Sequence, residues 1–282
     1  MRNNFFKMTL LGIACCFSLT SQAQENKCNC EQNFDKMIEK LEANYIAYPL
    51  IKNEINQDDE TGKALVSKTK AQNDTQVLQA SLDAVGTPTD LKSIQNIIAF
   101  ANCQSPQGNY TTEVHCNTNG YGYFKQVYSY RPQPFEAITK GTDKGFLLGE
   151  KAQALPQNAV FAMRSHYFHQ LIINVKTYFH DFEKPEITTL AGKKVYEIKA
   201  KDEINHPCRL FFDIEKGFLI SFHLQSPDNK DEILKTTFSD WKVVQNLQLP
   251  QHLEIDQGGK IFIFDFTKIV INSADFQEKK IE

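Results

Sequence analysis

Two pairs of metal-ligating residue types stand close together in the sequence. His166 and His169 lie three residues apart in a predicted helix, so both rings project from one helical face and could reach one ion. Cys28 and Cys30 form a CxC pair. Neither pair has the further Cys, His or carboxylate at the fixed spacing that a zinc site requires. The sequence therefore predicts no metal site, and the two histidines are interpreted as lid or surface residues.

Motifs of catalysis are absent from the sequence. It contains no G-x-S-x-G elbow, HExxH helix, phosphate-binding P-loop, G-x-G-x-x-G turn or EF-hand loop. No nucleophile stands beside a base in a recognisable arrangement. We therefore expect a protein that is not an enzyme and that needs no cofactor.

The first residues, 1–24, have the features of a secretory signal peptide. Arg2 and Lys7 precede a short apolar run, and Ser21 and Ala23 form a small-x-small cleavage site. The run is shorter than the ~20 apolar residues of a spanning helix, and no later segment could span a membrane. The sequence predicts cleavage near residue 24, a location in the periplasm or outside the cell, and no transmembrane span.

The net charge limits the kinds of partner that the protein can bind, and the cysteine content bears on whether it forms disulfides. The chain has 31 Lys and Arg against 34 Asp and Glu, and cleavage removes two basic residues and no acidic one, so the mature net charge becomes −5. This balance lacks the basic footprint of a nucleic-acid-binding protein. Export favours disulfides, and Cys103 and Cys116, on either side of a polar loop, are the predicted pair.

The pattern of apolar residues after the signal peptide predicts an arm and one main domain. Residues 31–48 are expected to form an amphipathic helix that ends at a proline, and residues 52–74 a polar linker. The predicted boundaries are therefore 25–74 for the N-terminal helix and linker and 75–282 for the domain.

Within the main domain the apolar period changes from helical to strand-like. Two helical segments are predicted around 75–101, the second either helical throughout or running into a strand. From about residue 108 the period becomes two, interrupted by one long helix predicted over 158–182. The short connections after Pro185 predict an antiparallel meander.

Several predicted strands carry apolar residues on both faces. In the last strand Phe262, Phe264 and Phe266 share one parity, while isoleucines share the other. A sheet that left such a face in water would expose a large apolar patch, so helices must cover it. Either the helices fill that face completely, or they leave an apolar cavity for an acyl chain or an apolar peptide. The candidate lining residues are Phe262, Phe264, Phe266, Phe211, Leu219, Phe168 and Leu171.

Six blocks between about residues 76 and 276 carry a resemblance to a known family. They are LQASLDAVGTPTDLKSI, GYFKQVYSYRPQPFEAI, TDKGFLL, GKKVYEIKA, RLFFDIEKGFLISFHL and FSDWKVVQNLQLPQHLEIDQGGKIFIFDFTKIVINSADF. Their order resembles the periplasmic lipoprotein-carrier (LolA-like) and outer-membrane lipoprotein-sorting family. The resemblance implies an unclosed β-barrel with a helical lid, whose concave side takes acyl chains. It also implies that Arg131, in the pattern RP-x-x-F with Pro132 and Phe135, contacts the lid.

A shorter resemblance covers residues 28–50. The stretch CNCEQNFDKMIEKLEANYIAYP is similar to the helical N-terminal segment of exported S41-like peptidases, and it covers none of their catalytic domain. The segment could therefore be a docking helix.

Together these observations predict an α+β fold: a strongly curved antiparallel half-barrel sheet covered by helices, with an N-terminal helical arm. The first functional hypothesis is an exported, non-enzymatic binder or carrier of lipid or lipoprotein acyl chains in the cell envelope. The second is an interaction module with a solid core, which docks on an envelope partner such as an exported peptidase through its N-terminal helix.

Overall fold

The computed structural model describes residues 73–226, 229 and 231–281. The predicted signal peptide and almost all of the predicted arm and linker (25–74) lie outside the described residues, as do Cys28 and Cys30. Among the described residues, no helix has the length and apolar character needed to cross a membrane.

Two short helices precede the sheet. Helix α1 (Asp74–Val85) begins at a capping box, in which the Asn73 and Gln76 side chains each accept a hydrogen bond from the other residue's backbone N–H, at 2.9 and 3.0 Å. Helix α2 (Pro88–Ser93) has its proline at the first position, where no backbone donor is needed. The chain then enters a strand at Asn96. Of the two predictions for this second segment, a helix that runs into a strand is confirmed.

One antiparallel sheet contains most of the described residues. Its strands are β1 (Asn96–Ser105), β2 (Gly108–Asn117), β3 (Tyr121–Tyr128), β4 (Phe135–Lys140), β5 (Lys144–Leu147), β6 (Gln153–Ala154), β7 (Phe179–His180), β8 (Glu186–Leu190), β9 (Lys193–Asp202), β10 (Pro207–Asp213), β11 (Leu219–Gln225), β12 (Ile233–Val244), β13 (Leu247–Gln257) and β14 (Lys260–Ile271).

The order of the strands makes the sheet an open half-barrel. In space the order is β6-β5-β4-β3-β2-β1-β14-β13-β12-β11-β10-β9-β7, and β8 also pairs with β9. Strands β1–β6 form one half, strands β7–β14 form the other, and the β1–β14 pair joins them. Within the described residues the two ends of this order do not pair with each other, so the sheet does not close. The predicted α+β fold with an antiparallel half-barrel sheet is confirmed.

A β-bulge explains why the last strand carries apolar residues of both parities. In the β1–β14 pair, Ala101 lies opposite Phe266 and the residue before Ala101 lies opposite Lys268, which leaves Thr267 unmatched. Because the side-chain period is two, one extra residue moves Ile271 onto the same face as Phe266. Ile271 is accordingly buried. Both parities of the sequence pattern thus contribute to one buried face.

The prediction of one long helix over 158–182 is wrong. The segment forms three short helices, α3 (Gln157–Arg164), α4 (Phe168–Ile173) and α5 (Val175–Tyr178), and then enters β7. We call residues 157–178 the plug.

Local side-chain hydrogen bonds accompany the breaks between these helices. The Ser165 hydroxyl donates to the carbonyl of Ala162 at 2.8 Å, and His166 Nδ1 donates to the same carbonyl at 2.6 Å. Farther along, Asn174 Nδ2 donates to the carbonyl of Gln170 at 3.3 Å. Such bonds compete with the backbone N–H groups that a continuous helix would supply.

The predicted Cys103–Cys116 disulfide is also wrong, because both thiols are free and buried. The predicted polar loop between them is a tight hairpin of β1 and β2, in which Cys103 lies opposite Tyr110 and Cys116 lies opposite Ile97. At a rise of about 3.3 Å per residue this offset separates the cysteines by roughly 20 Å, beyond the reach of a disulfide. Burial raises the pKa of each thiol to about 12.

The chain after β14 covers part of the outer face of the sheet. The Phe276 ring packs against Tyr121, with ring centroids 5.9 Å apart, and against His115 at 6.0 Å. The backbone N–H of Lys279 donates to the Tyr121 hydroxyl at 2.7 Å. The aromatic outer face of β2 and β3 is therefore sheltered by the C-terminal segment and not by a helix.

Candidate functional site

The sheet face that carries Phe264 is buried, and we call it the inner face. Directly opposite residues of paired strands share a face, so rows of side chains can be followed from strand to strand. Phe264 lies opposite Leu253, which lies opposite Phe238, and all three are at most 3% exposed. The next row consists of Phe262, Ile255, Thr236, Phe222, Leu210 and Ile198. The inner face of this half of the sheet is thus apolar almost throughout.

The plug packs its apolar side chains onto the inner face. Phe168, Leu171 and Ile172 are at most 3% exposed. The Phe168 ring lies 5.6 Å from the Phe264 ring and 6.2 Å from the Phe238 ring, between centroids and in edge-on geometry. The plug therefore occupies the place that the sequence analysis gave to a ligand.

Little space remains between the plug and the inner face at the junction of the two halves. A cavity of about 10 Å³ lies there, which is room for about one water molecule. Its lining comes from both sides and consists of Ile97, Ala99, Val114, Cys116, His166, Tyr167, Phe168, His169 and Phe266. Of the two predictions for this face, filling by helices describes the structure here, and a cavity ready for an acyl chain does not.

A glycine in β3 creates the notch in which the plug sits. The Tyr167 hydroxyl shares a 2.8 Å hydrogen bond with the Thr139 hydroxyl on β4. A Cβ atom at Gly122 would lie 2.1 Å from that tyrosine oxygen. Gly122 therefore permits the close approach of the junction between α3 and α4 to the sheet.

An arginine on the plug ties it to both halves of the sheet. Arg164 Nε donates to Glu203 Oε2 at 2.8 Å, and its Nη2 donates to the other carboxylate oxygen. Arg164 Nη1 donates to the carbonyl of Gly141 at 2.9 Å. Glu203 lies in the β9–β10 turn and Gly141 in the β4–β5 turn, at opposite halves of the sheet. We call this arrangement the latch.

The latch is buried, which makes it an unusual feature. The Arg164 and Glu203 side chains are 5% and 6% exposed. Burial alone would lower the pKa of Arg164, but the hydrogen bonds that it donates to Glu203 and the negative charge of that carboxylate outweigh burial and raise the pKa. Sequence reasoning missed both residues. The available signal was an arginine among Val160, Phe161 and Met163, on a segment expected to pack against a sheet.

The two histidines of the plug are core residues. His166 and His169 are at most 9% exposed. His169 Nε2 donates to the carbonyl of Pro250 at 3.1 Å, and its ring lies 4.5 Å from the Phe266 ring. Burial lowers the pKa of both rings, that of His169 to about 4. They are therefore neutral at ordinary pH, and no group of three or more potential metal ligands occurs in the described part of the chain.

Six of the seven predicted lining residues lie either on the inner face or on the plug. Phe262, Phe264 and Phe266 lie on the inner face, Phe168 and Leu171 lie on the plug, and Leu219 lies opposite Phe212 on the inner face. Leu219 reaches that face because a bulge at Ile220 shifts the β10–β11 register. Their part in binding a ligand stays a prediction.

Phe211 is the exception, and its assignment as a lining residue is wrong. It lies opposite Glu197 on one side and Ser221 on the other, which places it on the outer face. There its ring contacts His223, with centroids 4.5 Å apart, and the Arg209 guanidinium 5.3 Å from its centroid. It is buried under polar neighbours and does not face the plug.

Among the residues that the structure describes, the predicted contact of Arg131 with the lid is not found. The guanidinium carbon of Arg131 lies 4.9 Å from the centre of the Tyr128 ring and 5.8 Å from that of Tyr130. Both tyrosines belong to the end of β3 and the turn after it. The arginine that holds the plug is Arg164, on the plug itself.

Comparison with known proteins gives structural neighbours only. No protein-family model and no curated protein matches the chain. Among solved structures, a LolA superfamily protein of Nitrosomonas europaea is 8% identical, covers 72% of this chain and 95% of its own, and has a TM-score of 0.49. A domain of Vibrio parahaemolyticus described as an outer membrane lipoprotein-sorting protein is 8% identical, covers 71% and 95%, and has a TM-score of 0.45.

A third neighbour is the lipoprotein LppX of Mycobacterium tuberculosis, at 12% identity, 73% and 100% coverage and a TM-score of 0.27. No comparison supports the similarity of residues 28–50 to S41-like peptidases, and those residues lie outside the described part of the chain. At these identities and scores the likeness establishes neither family membership nor function.

Proposed function

We propose that this chain is an exported, non-enzymatic binder or carrier of acyl chains in the cell envelope, which keeps its inner face closed with the plug until a ligand takes the plug's place. The observation that carries the proposal is the plug itself. It covers an apolar half-barrel face with short helices that have no side-chain caps. Its Gln170 also has a buried side-chain oxygen without a hydrogen-bond partner. An element of this kind is costly to keep in place and correspondingly easier to exchange.

The free energy needed to replace the plug by a ligand determines how long the acyl chain of that ligand must be. Burial of one side chain such as Phe168 or Leu171 contributes about 1.5–3 kcal/mol, so lifting several of them costs on the order of 10 kcal/mol. Each CH₂ group of an acyl chain contributes about 0.8 kcal/mol on leaving water, so about 12 carbons offset that cost. Long acyl chains therefore displace the plug and short ones do not.

A chain-length series tests this function. Fatty acids of about 8 to about 18 carbons are titrated against the mature protein in a fluorescent-probe displacement assay, with bound ligand identified by native mass spectrometry. We expect no binding at the short end and a steep rise beyond about 12 carbons. Equal binding of short and long acids, or binding of none, contradicts the proposal.

Two phenylalanines supply a matched pair of variants for this assay. Phe168, on the plug, and Phe211, on the outer face, are 3% and 2% exposed. Replacing either by Leu costs about 1–2 kcal/mol of stability. Because only F168L weakens the hold of the plug, it is expected to bind acids a few carbons shorter than the wild type does, while F211L keeps the wild-type threshold.

The small cavity favours a second candidate function, an interaction module with a solid core. In that case the plug is a permanent part of the core, and the chain acts by docking on an envelope partner, with residues 28–74 as the proposed docking segment. Absence of acid binding in every variant, together with capture of one envelope protein that is lost when residues 28–74 are deleted, would support this candidate.

A further inference from the structure

Arg131 differs from the other arginines of the described residues. Arg164 and Arg209 each bond a glutamate carboxylate, Glu203 and Glu197 respectively. Within the described residues Arg131 has no carboxylate partner. It is partly exposed and lies over two tyrosine rings, so several of its planar donors remain available to an anion.

A row of polar side chains begins beside Arg131 and crosses the inner face. The Tyr128 hydroxyl donates to the Gln126 side chain, whose Nε2 donates to the Thr112 hydroxyl at 3.5 Å. The Cys103 thiol donates to the same hydroxyl at 3.4 Å. These four side chains are buried. This end of the inner face is therefore polar, whereas the part under the plug is apolar.

Aromatic rings connect the arginine to the plug without a break. Tyr128 stacks on Tyr110 with centroids 5.2 Å apart, Tyr110 contacts Phe264 at 6.1 Å, and Phe264 contacts Phe168 of the plug at 5.6 Å. A molecule whose tail replaced Phe168 would thus have its other end directed along this path toward Arg131.

We propose that Arg131 is the head-group site of the ligand, binding the anionic end, a carboxylate or a phosphate, of an amphiphile whose acyl tail displaces the plug. The inference rests on the proposed function and adds to it the polarity of the ligand and the direction in which it lies. Guanidinium groups bind both anions through paired N–H donors, and the tyrosine rings hold the guanidinium plane in position.

Two ligands with the same acyl tail and different head groups distinguish binding of the head group from binding of the tail. Oleic acid and oleyl alcohol, which differ only in the charged end, are titrated against wild type, R131Q and R131K by probe displacement, and acetate and inorganic phosphate are tested as competitors. We expect wild type to prefer the acid by about tenfold, the size of one charged hydrogen-bonded contact. R131Q should lose that preference by binding the acid about tenfold more weakly, with its affinity for the alcohol unchanged, and R131K should retain part of it.

A second cation over a ring provides the control. Lys268 Nζ lies 5.9 Å from the centre of the Phe100 ring, on the side of the sheet away from the plug. K268Q removes this cation and is expected to keep the wild-type preference. R131Q is checked for the wild-type circular dichroism spectrum.

The other possible outcomes contradict either the head-group site or the proposed function, and they can be told apart. Equal binding of acid and alcohol by wild type, or equal loss of both in R131Q, overturns the head-group site and leaves the proposed function intact. Competition by phosphate or acetate as strong as that by oleic acid identifies a site for free anions and also overturns it. Binding of neither long-chain compound overturns the proposed function itself.

Discussion

Two buried histidines make the stability of the plug depend on pH. His169 is surrounded by apolar groups and the Pro250 carbonyl, and its pKa of about 4 lies below the ordinary value near 6.5. The unfolded chain therefore binds a proton in this interval that the folded chain excludes. The free energy of unfolding is then at its full value above about pH 6.5 and falls as the pH drops toward about 4, by roughly 3 kcal/mol for this ring.

Urea denaturation at several pH values between about 7.5 and about 4.5 checks this expectation. In H169Q the amide still reaches the Pro250 carbonyl as a donor, but the titrating group is gone, so the pH dependence should become shallower. An unchanged slope in H169Q would contradict the role of His169.

The sequence alone identified the apolar residues of the site but not the face on which each one lies. Leu219 lies on the inner face because a single unmatched residue, Ile220, shifts the register between β10 and β11, whereas Phe211 lies on the outer face because it alternates with Leu210 and Phe212. Thr267 does the same in β14. A bulge depends on which strand lies alongside, and a period-two pattern within one strand does not contain that information.

At the scale of elements, the latch is the contact that joins helix α3 to two distant turns. Removing one partner of a buried ion pair leaves an uncompensated charge, which costs about 3–5 kcal/mol. We therefore expect R164M and E203M each to be strongly destabilised. Because two apolar side chains of similar volume can replace such a pair at little cost, R164M/E203M should recover most of the loss.

A double-mutant cycle by chemical denaturation measures this coupling, and hydrogen exchange at residues 157–178 reports where it acts. The exposed pair Lys242 and Asp240, 2.8 Å apart, is the control, and its removal should change stability by less than about 1 kcal/mol. Losses that simply add in the double variant would show that Arg164 and Glu203 do not act as a pair.

The notch at Gly122 offers a way to loosen the plug without touching its own sequence. In G122A the new methyl group overlaps the Tyr167 ring and hydroxyl, so the junction between α3 and α4 must move and the Tyr167–Thr139 hydrogen bond is lost. We expect faster hydrogen exchange in the plug and tighter binding of long acyl chains. In the matched variant G149A the new carbon lies 4.0 Å from the carbonyl oxygen of Lys151, an ordinary contact, so wild-type exchange and wild-type binding are expected.

The plug also marks the limit of what periodicity predicts for an element. The segment 158–182 lacks glycine and proline and has helical spacing of apolar residues, which favours one helix. The side chains of Ser165, His166 and Asn174 bond to backbone carbonyls at the breaks instead. Three short helices can follow the curved inner face where one straight helix cannot. The curvature belongs to the sheet, so the sequence of the plug does not predict it.

At the scale of the whole molecule, the antiparallel order was predictable because short connections permit little else. The sequence did not predict which part of the chain covers the second face of the sheet. In the half formed by β7–β14, the outer face carries ion pairs such as Arg209–Glu197 and Lys235–Asp256 and can face water. In the half formed by β1–β6, the outer face carries an apolar cluster of Tyr121, Tyr123 and Ile138, which needs a cover. The C-terminal segment provides that cover through Phe276.

Removal of this cover should change the behaviour of the whole molecule. A chain that ends at Ser273 exposes the Tyr121 and Tyr123 surface, and an apolar patch of this kind promotes association. We expect stronger binding of the dye ANS and a concentration-dependent increase in mass by light scattering, while F276A alone lowers the free energy of unfolding by about 1–2 kcal/mol. Q277A changes an exposed neighbour and should do neither. Because the plug lies on the opposite face, acyl-chain binding should survive in the truncated chain, and its loss would show that the two faces are coupled.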